Sequence, residues 1–193
     1  MATFTFPLFH FSTFSTFPLW LAWFVFLWQL IGAGRAFRPV PGQRGLSPLA
    51  QLISLAFVGV IYHRQPLLLN VALVAIGWVG LVVAFVLFEW ARRTIRGKHF
   101  SYIFSADTPA FVCTDGPFHY VRNPFYSSYL LSIGSVAVMM PSVFRAAIVA
   151  AMVIYFSAAA MWEERKFARS PVAAAYAAYK ATTGRFVPKI RRV

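Results

Sequence analysis

From 66 to 90 the chain reads PLLLNVALVAIGWVGLVVAFVLFEW, with no ionisable side chain until Glu89. A bilayer core of about 30 Å needs roughly 17–25 such residues in one helix. Four further apolar runs follow the same rule, at 17–34 (FPLWLAWFVFLWQLIGAG), 46–62, 124–140 and 142–162. In lipid only helices and closed barrels satisfy every backbone group, and these runs are too long and continuous for barrel strands. The expected fold is all-α: an integral membrane protein of about five transmembrane helices. The second and fourth runs are short, which suits tilted or partly spanning helices.

Composition agrees. Only 12% of residues are charged and 60% are hydrophobic, against about 25% charged in soluble domains. The net charge of +13 could signal nucleic acid. Here, however, the basic residues fall between and after the apolar runs rather than on an amphipathic stripe, so membrane topology explains them and no nucleic-acid partner is expected. The single cysteine, Cys113, allows neither an internal disulfide nor metal-ligand spacing. No HExxH, GxSxG or P-loop string occurs, and GAGRAF at 32–37 lacks the third glycine and the preceding strand of a dinucleotide fingerprint.

The charges also orient the chain. With five alternating spans and a cytoplasmic C-terminus, the inside segments hold Arg35, Arg38 and Arg44, then Arg92, Arg93, Arg96, Lys98 and Arg122, then the eight basic residues from Arg165 to Arg192. The outside segments hold only Arg64 and Arg145, as the positive-inside rule requires. The N-terminus is therefore expected outside. Its first 34 residues contain no Lys or Arg, so a signal-peptide basic region is absent. Residues 1–90 read as three N-terminal membrane helices. Residues 91–193 read as a catalytic region of linker, helical hairpin and C-terminal cytoplasmic helix. Its long polar segments, 91–123 and 163–193, are where function is expected.

Within the first segment, GPFHYVRNPFYSSYL at 116–130 places Asn123 as an N-cap and Pro124 at the first helical position. The free amides of such a helix start suit an anion, and Arg122 would add a planar pair of donors. Tyr126 and Tyr129 follow on one side; an interfacial aromatic belt is the plainer explanation of both. The second segment opens on Trp162-Glu163-Glu164-Arg165-Lys166, with two of the five acidic residues side by side. They could form local pairs, Glu163 with Lys166 or Glu164 with Arg165, or one could face inward to hold a cationic ligand. Ser170-Pro171 restarts a helix, VAAAYAAYK continues it, Gly184 stops it, and RFVPKIRRV reads as a basic end suited to anionic lipid. Glu89 reads as a helix-surface pair with Arg92 and Arg93. His10 and His63 read as solvated, His99 could meet phosphate, and His119 is the histidine nearest the polar cluster.

Taken in order, these parts resemble the membrane methyltransferase family that contains isoprenylcysteine carboxyl methyltransferases and phospholipid N-methyltransferases. The family pattern is G-x-Y-x-x-x-R-(H/N)-P-x-Y, an apolar hairpin, Glu-Glu, Y-x-x-Y and a proline-containing tail. Here it reads GPFHYVRNPFY, the hairpin 127–162, EER at 163–165, YAAY at 176–179 and GRFVP at 184–188. The resemblance covers about residues 105–190. It implies S-adenosylmethionine as methyl donor, held without a Rossmann domain, and a lipid-like or lipidated acceptor at the membrane–cytosol border. By position, the cofactor pocket would include Ala110, Phe111, Val112 and Cys113 through their backbone, together with Phe118, Asn123, Pro124, Phe125, Tyr126 and Glu163. Arg122 and Glu164 would be catalytic, Glu164 or His119 taking the proton of an amine acceptor; a carboxylate acceptor needs no base. Phe118 replaces the family's tyrosine, Asn123 stands for the histidine of the carboxyl-methylating branch, and Ala159 stands where that branch carries an arginine. NADPH-dependent membrane sterol or enone reductases, with a similar helical core, and a non-catalytic membrane scaffold are the competing readings.

Overall fold

The computed structural model describes residues 11–36, 48–62, 70–97 and 109–189, with side chains from 20–34 and 52–61 in the first two stretches. His10, His63, His99 and residues 190–193 lie outside the described part. Six α-helices are described: α1 (Phe11–Ala36), α2 (Pro48–Tyr62), α3 (Val71–Thr94), α4 (Pro124–Met139), α5 (Val143–Ala168) and α6 (Ala173–Thr182). Among the described residues there is no strand, only an isolated parallel bridge between Val121 and Gly184. The fold is all-α.

Local chemistry sets the helix ends. Asn70, inside the longest apolar run, accepts from the amides of Ala72 and Leu73 at 3.0 and 3.3 Å and so starts α3 at Val71. The helix finishes on Arg92 and Arg93, cations at the negative end of its dipole. Pro141 cannot continue α4. Ser142 then caps α5, its Oγ accepting from the Arg145 amide at 3.2 Å, so the two helices form a tight hairpin. α5 runs six residues beyond the expected end at 162. Glu163 and Glu164 are therefore helical, and their side chains leave the axis about 100° apart.

α4 is the central helix. It touches α1, α2, α3 and α5, and eleven of its sixteen residues are buried. At about 24 Å it is shorter than a bilayer core, but its neighbours surround it. Against α3 the approach is close: a Cβ at Gly80 would strike Ser135 Oγ, and one at Gly77 would meet the Ser135 carbonyl at 2.8 Å. Small residues at such a crossing let two backbones pack where lipid provides no hydrophobic drive.

The buried side chains of Gln29 and Arg145 are paired, as an apolar surrounding demands. Gln29 of α1 donates to Ser132 Oγ of α4 at 2.9 Å. Arg145, 2% exposed, donates to the carbonyls of Val60 and Met140 at 2.8 and 2.9 Å. One guanidinium thus joins the ends of α2 and α4 to the start of α5. Aromatic contacts fill the rest, with Phe26 stacked on Phe57 at 4.4 Å and Phe88 edge-on to Phe125 at 5.4 Å. On the outside of α3, Ile76, Val79, Val83 and Val86 form an exposed apolar face. Both α3 and α5 are long and apolar enough to cross a membrane.

Candidate functional site

The polar residues singled out from the sequence meet where α4 begins and α5 ends. The chain reaches that point through Gly116, whose φ of +55° and contact with Trp90 and Thr94 leave no room for a side chain. Glycine is required there. A 3-10 turn over Gly116–His119 follows. It buries Phe118, whose ring lies edge-on to Phe125 at 6.4 Å and whose carbonyl accepts the Tyr179 hydroxyl at 2.5 Å. Where the family carries a tyrosine, this chain thus presents a phenyl ring to the core.

Beyond the turn, the returning C-terminal strand of chain locks the start of α4. Arg122 N donates to Gly184 O at 2.8 Å and Asn123 N to Arg185 O at 3.2 Å. Asn123 occupies the N-cap position and Pro124 the first helical one, but the Asn123 side chain makes no capping bond. Its Nδ2 donates instead to Arg185 O at 3.2 Å. Nearby, Ser127 Oγ donates to Phe186 O at 2.7 Å. The tail therefore does not simply trail toward lipid: Gly184–Phe186 folds back along the helix start, and a Cβ at Gly184 would collide with Val187 O.

Glu164, 7% exposed, is enclosed by cations. Arg122 Nη2 lies at 3.0 Å, Lys180 Nζ at 2.7 Å and Arg185 Nε at 3.1 Å from its oxygens. Arg122 also donates to the carbonyls of Lys180 and Thr183, which closes the C-terminal end of α6. The local pair anticipated for Glu164, with Arg165, is not what holds it; its partners are 42, 16 and 21 positions away in sequence. The three ion pairs fasten α6 and the tail to the ends of α4 and α5.

Glu163 is different. It is half-buried. Its Oε1 accepts the Tyr126 hydroxyl at 3.3 Å. Tyr126 in turn stacks on Phe156 at 4.8 Å and meets Phe186 edge-on at 6.5 Å. A half-buried carboxylate beside an aromatic hydroxyl suits a cation, and the Lys166 ammonium one turn along the helix also acts on it.

The remaining expected residues are placed as follows. Pro124 is buried at the helix start, and Phe125 packs into the α3–α4 core. Ala110 and Phe111 are exposed, Val112 is half-buried and Cys113 is buried. His119 is exposed, with its ring edge-on to Tyr120 at 5.1 Å. Burial pushes the Tyr176 hydroxyl up to about 12 and raises that of Tyr179 as well, so both remain protonated donors at neutral pH. Among the described residues no cluster of His, Cys, Asp or Glu could hold a metal ion. Sequence reasoning missed Lys180 and Arg185 as partners of Glu164, and Phe156 and Phe186 as the rings packed on Tyr126. The turn-forming Gly184 was the one local signal that the tail reverses.

Fold and site together define a class: an all-helical protein with membrane-length helices whose ionisable groups gather at one end of a central hairpin. The family model for phospholipid methyltransferases matches residues 71–170, from the first residue of α3 to just past the end of α5, and the chain belongs to that family. No curated protein and no solved structure matches it significantly. The family and the two long apolar helices support a membrane methyltransferase acting on lipid substrates.

Proposed function

We propose that the chain transfers a methyl group from S-adenosylmethionine to a lipid-like acceptor at the membrane–cytosol border. The observation that carries this reading is Glu163: a half-buried carboxylate bonded to Tyr126, whose ring packs on Phe156 and Phe186. Those residues suit the ammonium and sulfonium charges of the cofactor. The start of α4 at Asn123 and Pro124 suits its carboxylate. When bound, the cofactor supplies a methyl group made electrophilic by its positive sulfur.

The protein's part is to bind, align and exclude water. Glu163 and Tyr126 hold the cationic end. Glu164 and Arg122 position the platform by fastening α6 and the tail beneath the start of α4. The acceptor attacks the methyl carbon in line from the lipid side as the carbon–sulfur bond breaks, leaving S-adenosylhomocysteine. An amine acceptor first gives up its proton to water and attacks as the neutral amine. Its identity divides between a carboxylate, as in isoprenylcysteine methylation, and an amine, as in phospholipid N-methylation. The cations near the site favour the amine: Arg122, Lys180 and Arg185 already engage Glu164, and buried Ala159, one turn before Glu163, offers a carboxylate nothing. All five helices α1 to α5 are read as membrane-embedded, N-terminus outside and C-terminus cytoplasmic, from the distribution of Lys and Arg.

The test is transfer of labelled methyl groups by the purified protein in phospholipid vesicles, with phosphatidylethanolamine or a farnesylcysteine offered as acceptor. Label in the amine lipid supports the favoured acceptor, and label in the farnesylcysteine alone reverses it. No transfer to either, with NADPH bound instead, would remove the methyltransferase reading.

A further inference from the structure

One face of α5 changes character along its length. Ala147, Ala151, Ile154 and Ala158 are exposed, and with Trp162 they fall within about 80° of one another around the helix. Past Trp162 the same face carries Arg165, Lys166 and Arg169, at i+3, i+4 and i+7. These four residues line an open cleft of ≈ 270 Å³. Lys166 Nζ stands 5.0 Å from the centre of the Trp162 ring, while Arg165 and Arg169 are exposed. No carboxylate lines the cleft: Glu164 points to the opposite side of the helix toward Arg122, and Glu163 meets Tyr126.

The dipole at a helix C-terminus attracts cations, which accounts for their presence in the last turns. It does not account for a concave cluster that continues an exposed apolar face and has a tryptophan at the junction, where aromatic side chains mark a membrane border. We propose that this cleft seats the phosphate of an anionic phospholipid, whose acyl chain lies along the Ala147–Ala158 face. A free phosphate ion would make no use of that face. The site is separate from the Glu163 pocket. It rests on α5 crossing the membrane and not on the choice of methyl acceptor.

Native mass spectrometry of the full chain in detergent, with phosphatidylglycerol or phosphatidylcholine added at equal concentration, tests it. Phosphatidylglycerol is retained in preference to phosphatidylcholine, and the Arg165→Gln/Arg169→Gln variant weakens that retention about thirtyfold. Arg96→Gln, an exposed arginine elsewhere, leaves it unchanged. Equal retention of the two lipids, or undiminished retention by the double variant, would overturn the proposal. Displacement of the lipid by inorganic phosphate at matched concentration would make the cleft a soluble-anion site and also overturn it. S-adenosylhomocysteine affinity of the double variant stays at the wild-type level; its loss would merge the cleft with the cofactor pocket and end the claim of a separate site.

Discussion

Glu164→Ala separates an architectural carboxylate from a catalytic one. The substitution leaves Arg122, whose side chain is 7% exposed, without its counterion, and frees Lys180 and Arg185, which are 50% and 32% exposed. Removing one partner of a buried pair costs about 3–5 kcal/mol, and each half-exposed cation adds at most about 1 kcal/mol. The loss falls on a local unit, α6 and residues 183–186, because the three cations bind this segment to the ends of α4 and α5. The chain carries its own reporter: Cys113 is buried and close enough to Tyr179 of α6 to influence its hydroxyl. When α6 lifts, the thiol is exposed to a maleimide dye. If opening is rapid compared with labelling, the rate follows the opening equilibrium. The alanine variant should then label on the order of 10²–10⁴-fold faster than wild type. Glu164→Gln, which keeps hydrogen-bond acceptors, should accelerate labelling on the order of tenfold. A labelling rate within about threefold of wild type for the alanine variant would refute the reasoning; with methyl transfer lost at the same time, Glu164 would belong to the chemistry.

Gly80→Ala should destabilise by about 1–3 kcal/mol through overpacking against Ser135. Adding Ser135→Gly should recover part of that loss, read as thermal denaturation in detergent. Arg145→Met strands the carbonyls of Val60 and Met140 and should cost about 2–4 kcal/mol, two buried acceptors at roughly 1–2 kcal/mol each; an unchanged melting temperature would show that the bonds contribute nothing net. Tyr126→Phe removes one hydrogen bond to Glu163 and should weaken S-adenosylhomocysteine binding about threefold to tenfold, with stability held by the surviving ring stack on Phe156.

The helices were legible because lipid leaves so few alternatives: five apolar runs became five helices. Their ends were legible only where a side chain announced them. Asn123-Pro124 marked the start of α4 correctly, while Asn70, hidden inside an apolar run, started α3 five residues later than the run itself. Glu163 and Glu164 stood out as rare acids, but their partners did not. Adjacent helical residues point about 100° apart, so one acid faced Tyr126 and the other faced cations from α6 and the tail. That pairing depends on Gly184 turning the chain back onto Val121–Asn123, a tertiary event with no periodic trace. Of the near neighbours that local reasoning paired with the acids, Lys166 does act on Glu163, while Arg165 lines the cleft with Trp162. Asn123 shows the same limit in miniature: its position in the helix start followed from sequence, but its amide bonds Arg185 O because the tail happens to lie there.

Calorimetric titration of S-adenosylhomocysteine into the detergent-purified chain and its Glu163→Ala variant tests the central claim most directly. Wild type should bind. The variant, having lost the carboxylate that faces the cationic end of the ligand, should lose about tenfold to a hundredfold in affinity, with Cys113 labelling as slow as in wild type. Equal affinity in the two proteins, or no binding by a folded wild type, would contradict the account.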